Sequence, residues 1–137
     1  LSNFEEKEII IFDMDGTVTV SKSAIDEEMA GLVGKLLESK KVAIVSGGAF
    51  KQFDEQFIKH LPPNSNLGNL VIMPTSGAEM RLFNDGKWQV EYLESLHPEE
   101  KRKIINAMGK ALDEAGLSDP DQVYGPPVIE DRGSQIT

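Results

Sequence analysis

Three short apolar runs set the rhythm of the first half of the chain: Ile9-Ile10-Ile11-Phe12, Val42-Ala43-Ile44-Val45 and Leu70-Val71-Ile72-Met73. None has a polar face, which is how a parallel strand buried on both sides reads. Helical patterns lie between them. From Ile25 to about Ser39, the residues Ile25, Met29, Leu32, Val33, Leu36 and Leu37 recur at helical spacing with one wet face. Ser23 and Asp26 offer an S-x-x-D start for that helix. After Ser46-Gly47-Gly48 a second stripe runs through Phe50, Phe53, Phe57, Ile58 and Leu61, ended by Pro62-Pro63-Asn64-Ser65-Asn66. The order β-α-β-α-β predicts an α/β fold, a three-layer core on a mostly parallel sheet with right-handed crossovers.

The pattern then changes. Glu79 to Phe83 and Lys87 to Leu93 are strand-like and flank Asn84-Asp85-Gly86, a strong hairpin signal. A long amphipathic helix follows, roughly Pro98 to Ala115, with Ile104, Ile105, Met108, Ala111, Leu112 and Ala115 on one stripe. Pro98 suits its first turn and Gly116 its end. Beyond the Ser118-Asp119-Pro120-Asp121 loop, Val128 to Asp131 and Ser134 to Thr137 read as a strand pair turning at Arg132-Gly133. Hairpin, helix, hairpin makes an α+β unit, so a boundary is expected near Ala78, between a core at 1–77 and a second unit at 78–137.

Composition narrows the function classes. At 137 residues with 39% hydrophobic and 27% charged positions, the chain is ordinary globular material for one domain and part of a second. A net charge of −9 argues against nucleic acid or an anionic membrane as the main partner. No stretch is apolar for long enough to span a bilayer. The absence of cysteine removes thiolate chemistry and fits a reducing compartment, so the expected location is cytoplasmic. The chain opens on Leu1 and stops at Thr137 within a strand-like run, and both ends read as cut.

The chemistry concentrates where the first apolar run stops. Asp13 and Asp15 stand two positions apart, followed by Gly16 and Thr17. Strand alternation should project both carboxylates the same way. Two carboxylates side by side repel unless a cation or a shared proton lies between them. Open α/β sheets place their chemistry at this carboxyl edge. The arrangement suggests a metal-assisted site; the plain alternative is a strand ending in a common Asp-Gly turn.

Phe12-Asp13-Met14-Asp15-Gly16-Thr17-Val18-Thr19 resembles the signature of the haloacid dehalogenase superfamily, which is mostly magnesium-dependent phosphohydrolases and phosphomutases on a Rossmann-like core. Val45-Ser46-Gly47-Gly48 is similar to that family's second motif. The α+β unit resembles the inserted cap of the subgroup that includes phosphomannomutase, and Ile129-Glu130-Asp131-Arg132-Gly133 is similar to a stretch of that cap. The resemblance implies Asp13 as nucleophile through an aspartyl-phosphate. It implies Asp15 as general acid and then base. Magnesium would be held by Asp13 and the backbone carbonyl of Asp15, with all-oxygen ligation. Gly16 would give a tight turn near the phosphate, and Thr17 would fix Asp15 or the turn. Ser46 and Gly47, expected at the amino end of a helix, would donate to phosphate oxygens. Arg132 would reach substrate from the cap, against the plain reading of a surface arginine at a turn. Lys22 reads as solvated. The arginine that the mutases carry seven residues before the match to Arg132 falls at Gly125 here.

The implied activity is hydrolysis of a small phosphate ester, with a sugar phosphate as expected substrate and a phosphomannomutase-type mutase as the alternative. A phospho-aspartate signalling module of the response-regulator kind is the rival from another class. Such a module needs neither an acid two residues after its phospho-acceptor nor a cap. The family's later lysine and second acidic pair lie after the cap, in a returning part of the core that this chain does not include. The segment alone is therefore expected to be feeble or inactive. His60 and His97 read as surface or capping residues, and Trp88 as packing on the cap helix. Oligomeric state is left open.

Overall fold

The computed structural model describes residues 6–117 and 129–137. In chain order the elements are β1 (Ile9–Asp13), α1 (Glu27–Leu36), β2 (Lys41–Val45), α2 (Phe50–Gln56), β3 (Leu70–Met73), β4 (Glu79–Asn84), β5 (Lys87–Leu93) and α3 (Pro98–Glu114). The chain divides into two compact units, one running to Leu93 and the other from Glu94 to Thr137.

In the first unit the strands form one mixed α/β sheet in the order β1-β2-β3-β4-β5. β1, β2 and β3 are parallel, with Ile10, Val42 and Leu70 in one row and Phe12, Ile44 and Ile72 in another. The second row, together with Val42 and Leu70, packs with Ala30, Val33 and Leu37 of the α1 region and Phe53 and Phe57 of the α2 region into a single cluster. Both helices thus serve one face of the sheet.

The opposite face departs from expectation. Ile9 is 47% exposed and Ile11 63% exposed, although their run reads as buried on both sides. Among the described residues β1 has β2 as its one neighbour in the sheet, and the helix residues of the core cluster pack on the Phe12 side of it. Among the described residues β1 is therefore packed on one face.

The hairpin also sits elsewhere than expected. Its turn is as read, with Asp85 at φ +53° and Gly86 at φ +76°, the pair of left-handed residues that a two-residue hairpin needs. But β4 pairs antiparallel with β3, Val71 against Leu82 and Ile72 against Arg81, so the hairpin extends the parallel sheet. Trp88 packs edge-on against Phe83 and against Phe50 of α2, with ring centroids 5.3 and 5.9 Å apart. Arg81 is paired with the buried Glu79 and lies 4.0 Å over the Phe50 ring. Backbone pairing and an aromatic cluster tie the hairpin to the first compact unit, which runs to Leu93. Trp88 packs against the core cluster of the first unit.

α1 starts at Asp26, whose carboxylate accepts from the N–H of Met29 at 2.8 Å. Ser23 closes a turn onto Val20 instead of capping. α2 is shorter than its stripe: it ends at Gln56, and a 3₁₀ turn over Ile58–His60 carries the chain onward.

In the second unit His97 caps α3 and Glu100 reaches back to the His97 N–H, a reciprocal capping box. Ile104, Ile105, Met108 and Leu112 are half-buried. The loop at 118–121, Gly125 and Val128 lie outside the described residues. At 129–137 Glu130 and Thr137 exchange backbone hydrogen bonds and Asp131 bridges Ile136. Lys101 of α3 ties to Asp131 at 3.1 Å. No helix among the described residues is long and apolar enough to cross a membrane.

Candidate active site

Three loops meet at the carboxyl ends of β1, β2 and β3. The first is a tight turn built on one carbonyl. Met14 O accepts from the N–H groups of Thr17, Val18 and Thr19 at 3.3, 3.1 and 3.0 Å, and from the Thr19 hydroxyl at 3.1 Å. Gly16 closes the turn by donating to Thr19 O at 2.8 Å, at φ +79°, where a side chain would be strained. Burial still alternates past the strand end: Asp13 is exposed, Met14 fully buried and Asp15 half-buried. The Thr17 hydroxyl lies 3.4 Å from Asp13 Oδ2, and so sits by Asp13 and the turn, not by Asp15.

The Asp15 carboxylate is held from three directions. The backbone N–H of Lys22 donates to Oδ1 at 2.9 Å. The Ser46 hydroxyl and the Gln52 side-chain amide donate to Oδ2 at 3.3 and 3.2 Å. Lys22 therefore contributes its backbone, at φ +56°, where the sequence shows a solvated side chain.

Ser46 is buried at the end of β2. It does not stand at a helix end as expected. α2 begins at Phe50, and its N-cap position is Ala49, with no side-chain cap. The loop runs beside the one after β3: Ser46 N donates to Met73 O, Ser76 N to Ser46 O and Thr75 N to Gly48 O. A Cβ on Gly47 would come 3.8 Å from Ser76 Oγ. Thr75 and Ser76 both take left-handed backbone, at φ +48° and +57°. For a buried β-branched threonine that conformation is costly, about 1–3 kcal/mol, and persists where the surroundings enforce it.

Arg132 belongs to the second unit, where its guanidinium donates to Glu130 Oε2 at 2.6 and 2.9 Å. Among the described residues no group of three or more histidine, cysteine or acidic side chains could enclose a metal. The oxygen donors at Asp13 and Asp15 fit a hard cation, as part of a ligand set.

Gln52 escaped the reading of the sequence. It falls on the wet side of the α2 stripe, four residues before Gln56, and only the fold brings it to Asp15.

No family model matches the chain. Among solved structures it superimposes on the IMP-nucleotidase of Plasmodium falciparum with a TM-score of 0.61 and 18% identity, over 94% of this chain and 34% of that one. Haloacid dehalogenase-like hydrolases from Bacteroides thetaiotaomicron and B. subtilis each match with a TM-score of 0.53 and 18% identity, over 77% of this chain and 38% and 34% of theirs. The fold is that of the haloacid dehalogenase-like hydrolases. The chain spans less than two fifths of the length of these structures. Within that fold, Asp13 and Asp15 occupy the tip of the first strand and Ser46 the tip of the second.

Proposed function

We propose that these residues form the phosphoryl-accepting half of a phosphohydrolase site for a small phosphomonoester, a sugar phosphate by the resemblance of the motifs. The observation that carries the reading is the contrast between the two aspartates. Asp13 is exposed at the strand end, and Asp15, two residues on, is anchored by Ser46, Gln52 and Lys22. A nucleophile must reach the phosphorus, whereas a proton carrier must be held in place.

In the first half-reaction the Asp13 carboxylate forms a bond to phosphorus as the ester P–O bond breaks. The Asp15 carboxyl gives its proton to the departing oxygen, so an alcohol leaves. In the second half-reaction water attacks the aspartyl-phosphate and loses a proton to Asp15. Inorganic phosphate leaves, and both carboxyl groups return to their starting states. Asp13 and the main-chain carbonyl of Asp15 would hold magnesium, which supplies charge neutralisation between an anionic nucleophile and an anionic substrate. Thr17, beside Asp13, limits the rotamers of the attacking group. Arg132, whose guanidinium carries N–H groups besides the two that meet Glu130, is a proposed contact for substrate oxygens.

The test is hydrolysis of p-nitrophenyl phosphate, with magnesium, by the native polypeptide that carries these residues and by its Asp13→Asn variant. The reading expects the variant to lose activity by at least about 10³-fold. Equal rates would remove Asp13 as nucleophile.

A further inference from the structure

Gln52 anchors Asp15 but takes no chemical step in the mechanism above, and its placement is tightly constrained. Its amide nitrogen carries two protons. One goes to Asp15 Oδ2 at 3.2 Å and the other to Gln56 Oε1 at 3.1 Å, one helical turn further along α2. Turning the amide over would set its oxygen against the Asp15 carboxylate, so that carboxylate selects one orientation. The turn that carries Gln56 is fixed in turn, because Gln56 O accepts from Ile25 N at 2.8 Å.

The second observation concerns Gly48. A Cβ built on Gly48 would lie 2.0 Å from Gln52 Oε1 and 2.7 Å from its Cδ. The Gln52 side chain folds directly over the Gly48 Cα to reach Asp15. Gly48 does not have a left-handed φ, so its backbone does not demand glycine. The space does.

We propose that Gln52 is a positioning residue for the proton-transferring carboxyl of Asp15, and that Gly48 is glycine to give its amide passage. The proposal rests on the reading of Asp15 as general acid. Ser46 and Gln52 engage both lone pairs of Oδ2, while among the described residues Oδ1 meets Lys22 N alone. Of the two oxygens, Oδ1 is the one this geometry leaves with a lone pair to carry the exchanged proton. Gln52 fixes which edge of the carboxyl is offered.

Loss of the hold should fall on kcat, not KM, and should fall harder where the leaving group needs a proton. In the native polypeptide, Gln52→Leu should lower kcat for an alkyl phosphate about 10-fold more than kcat for p-nitrophenyl phosphate, a fraction of what general acid catalysis supplies. Gly48→Ala should reproduce that ratio without altering Gln52, since the atom in its way is the end of a flexible side chain. In a Gln52→Leu background Gly48→Ala should add nothing to the ratio. Equal losses on both esters, or a Gly48→Ala effect that persists in full without Gln52, would overturn the proposal. Asp15→Asn is the reference: if it shows no leaving-group dependence, the general-acid reading fails instead. The hold itself is read without turnover, from the side-chain amide signals of Gln52 in a ¹⁵N spectrum. They should shift in Asp15→Asn and in Gly48→Ala. Signals that stay unmoved in both variants would overturn the contact whatever the activity.

Discussion

Replacing Thr19 by valine tests the turn that presents the two aspartates. Thr19 is 6% exposed, and its hydroxyl donates to Met14 O at 3.1 Å. Valine keeps the branched shape and removes the donor. The acceptor is not orphaned, because three backbone N–H groups still converge on it. The loss is therefore the net worth of one hydrogen bond, about 1 kcal/mol, without the further ~1–3 kcal/mol of a stranded buried group. Urea unfolding reads it directly. With a slope of about 1–3 kcal/mol/M the midpoint should fall by roughly 0.3–1 M while the slope stays constant. Thr19→Ser, which keeps the hydroxyl and loses a methyl group, should cost about the 0.8 kcal/mol of one buried carbon. An unchanged midpoint in Thr19→Val would mean that the hydroxyl is not bonded. A loss above about 3 kcal/mol would mean that the carbonyl depends on it, and that the shared-acceptor account of the turn is wrong.

Two further outcomes follow from the packing and the charges. Phe53 is 0% exposed beneath the sheet, so Phe53→Ala should destabilise by about 3–5 kcal/mol in the same unfolding assay. The Asp131 carboxyl is held below the usual carboxylate range, first by the Gly133 backbone N–H and then by Lys101. A lowered folded-state value means that its contribution to stability is present above the ordinary aspartate range and lost as pH falls through the folded value. A carboxyl NMR titration should show the lowered midpoint, and Lys101→Met should raise it only part of the way.

How much was legible follows from range. The three apolar runs and the two stripes are local signals, and β1, β2, β3, α1 and α2 fall where they indicate. The Asp-Gly turn announced a hairpin, but not that β4 would pair with β3, because pairing across Val71 and Leu82 leaves no mark in either segment. The Ile9 to Phe12 run records what the side chains could bury, while exposure depends on which neighbours stand beside β1. At the site, the motifs mark Asp13, Asp15 and Ser46, and the structure sets them at neighbouring strand ends. Gln52 does not: a polar residue on a wet helix face is the commonest thing such a face carries, and its meaning comes from the crossover that lays α2 beside the β1 loop. The close approach of Gln52 to Gly48 exists only in the folded chain.

Transfer of phosphorus to Asp13 is the central claim, and trapping the phosphoenzyme tests it most directly. The native polypeptide, mixed with p-nitrophenyl phosphate and magnesium and quenched in acid within the first turnover, should yield a phosphorylated peptide containing Asp13. Hydroxylamine should release that phosphate, and Asp13→Asn should abolish the label. Turnover without a labelled peptide, or a label on another residue that survives Asp13→Asn, would contradict the account.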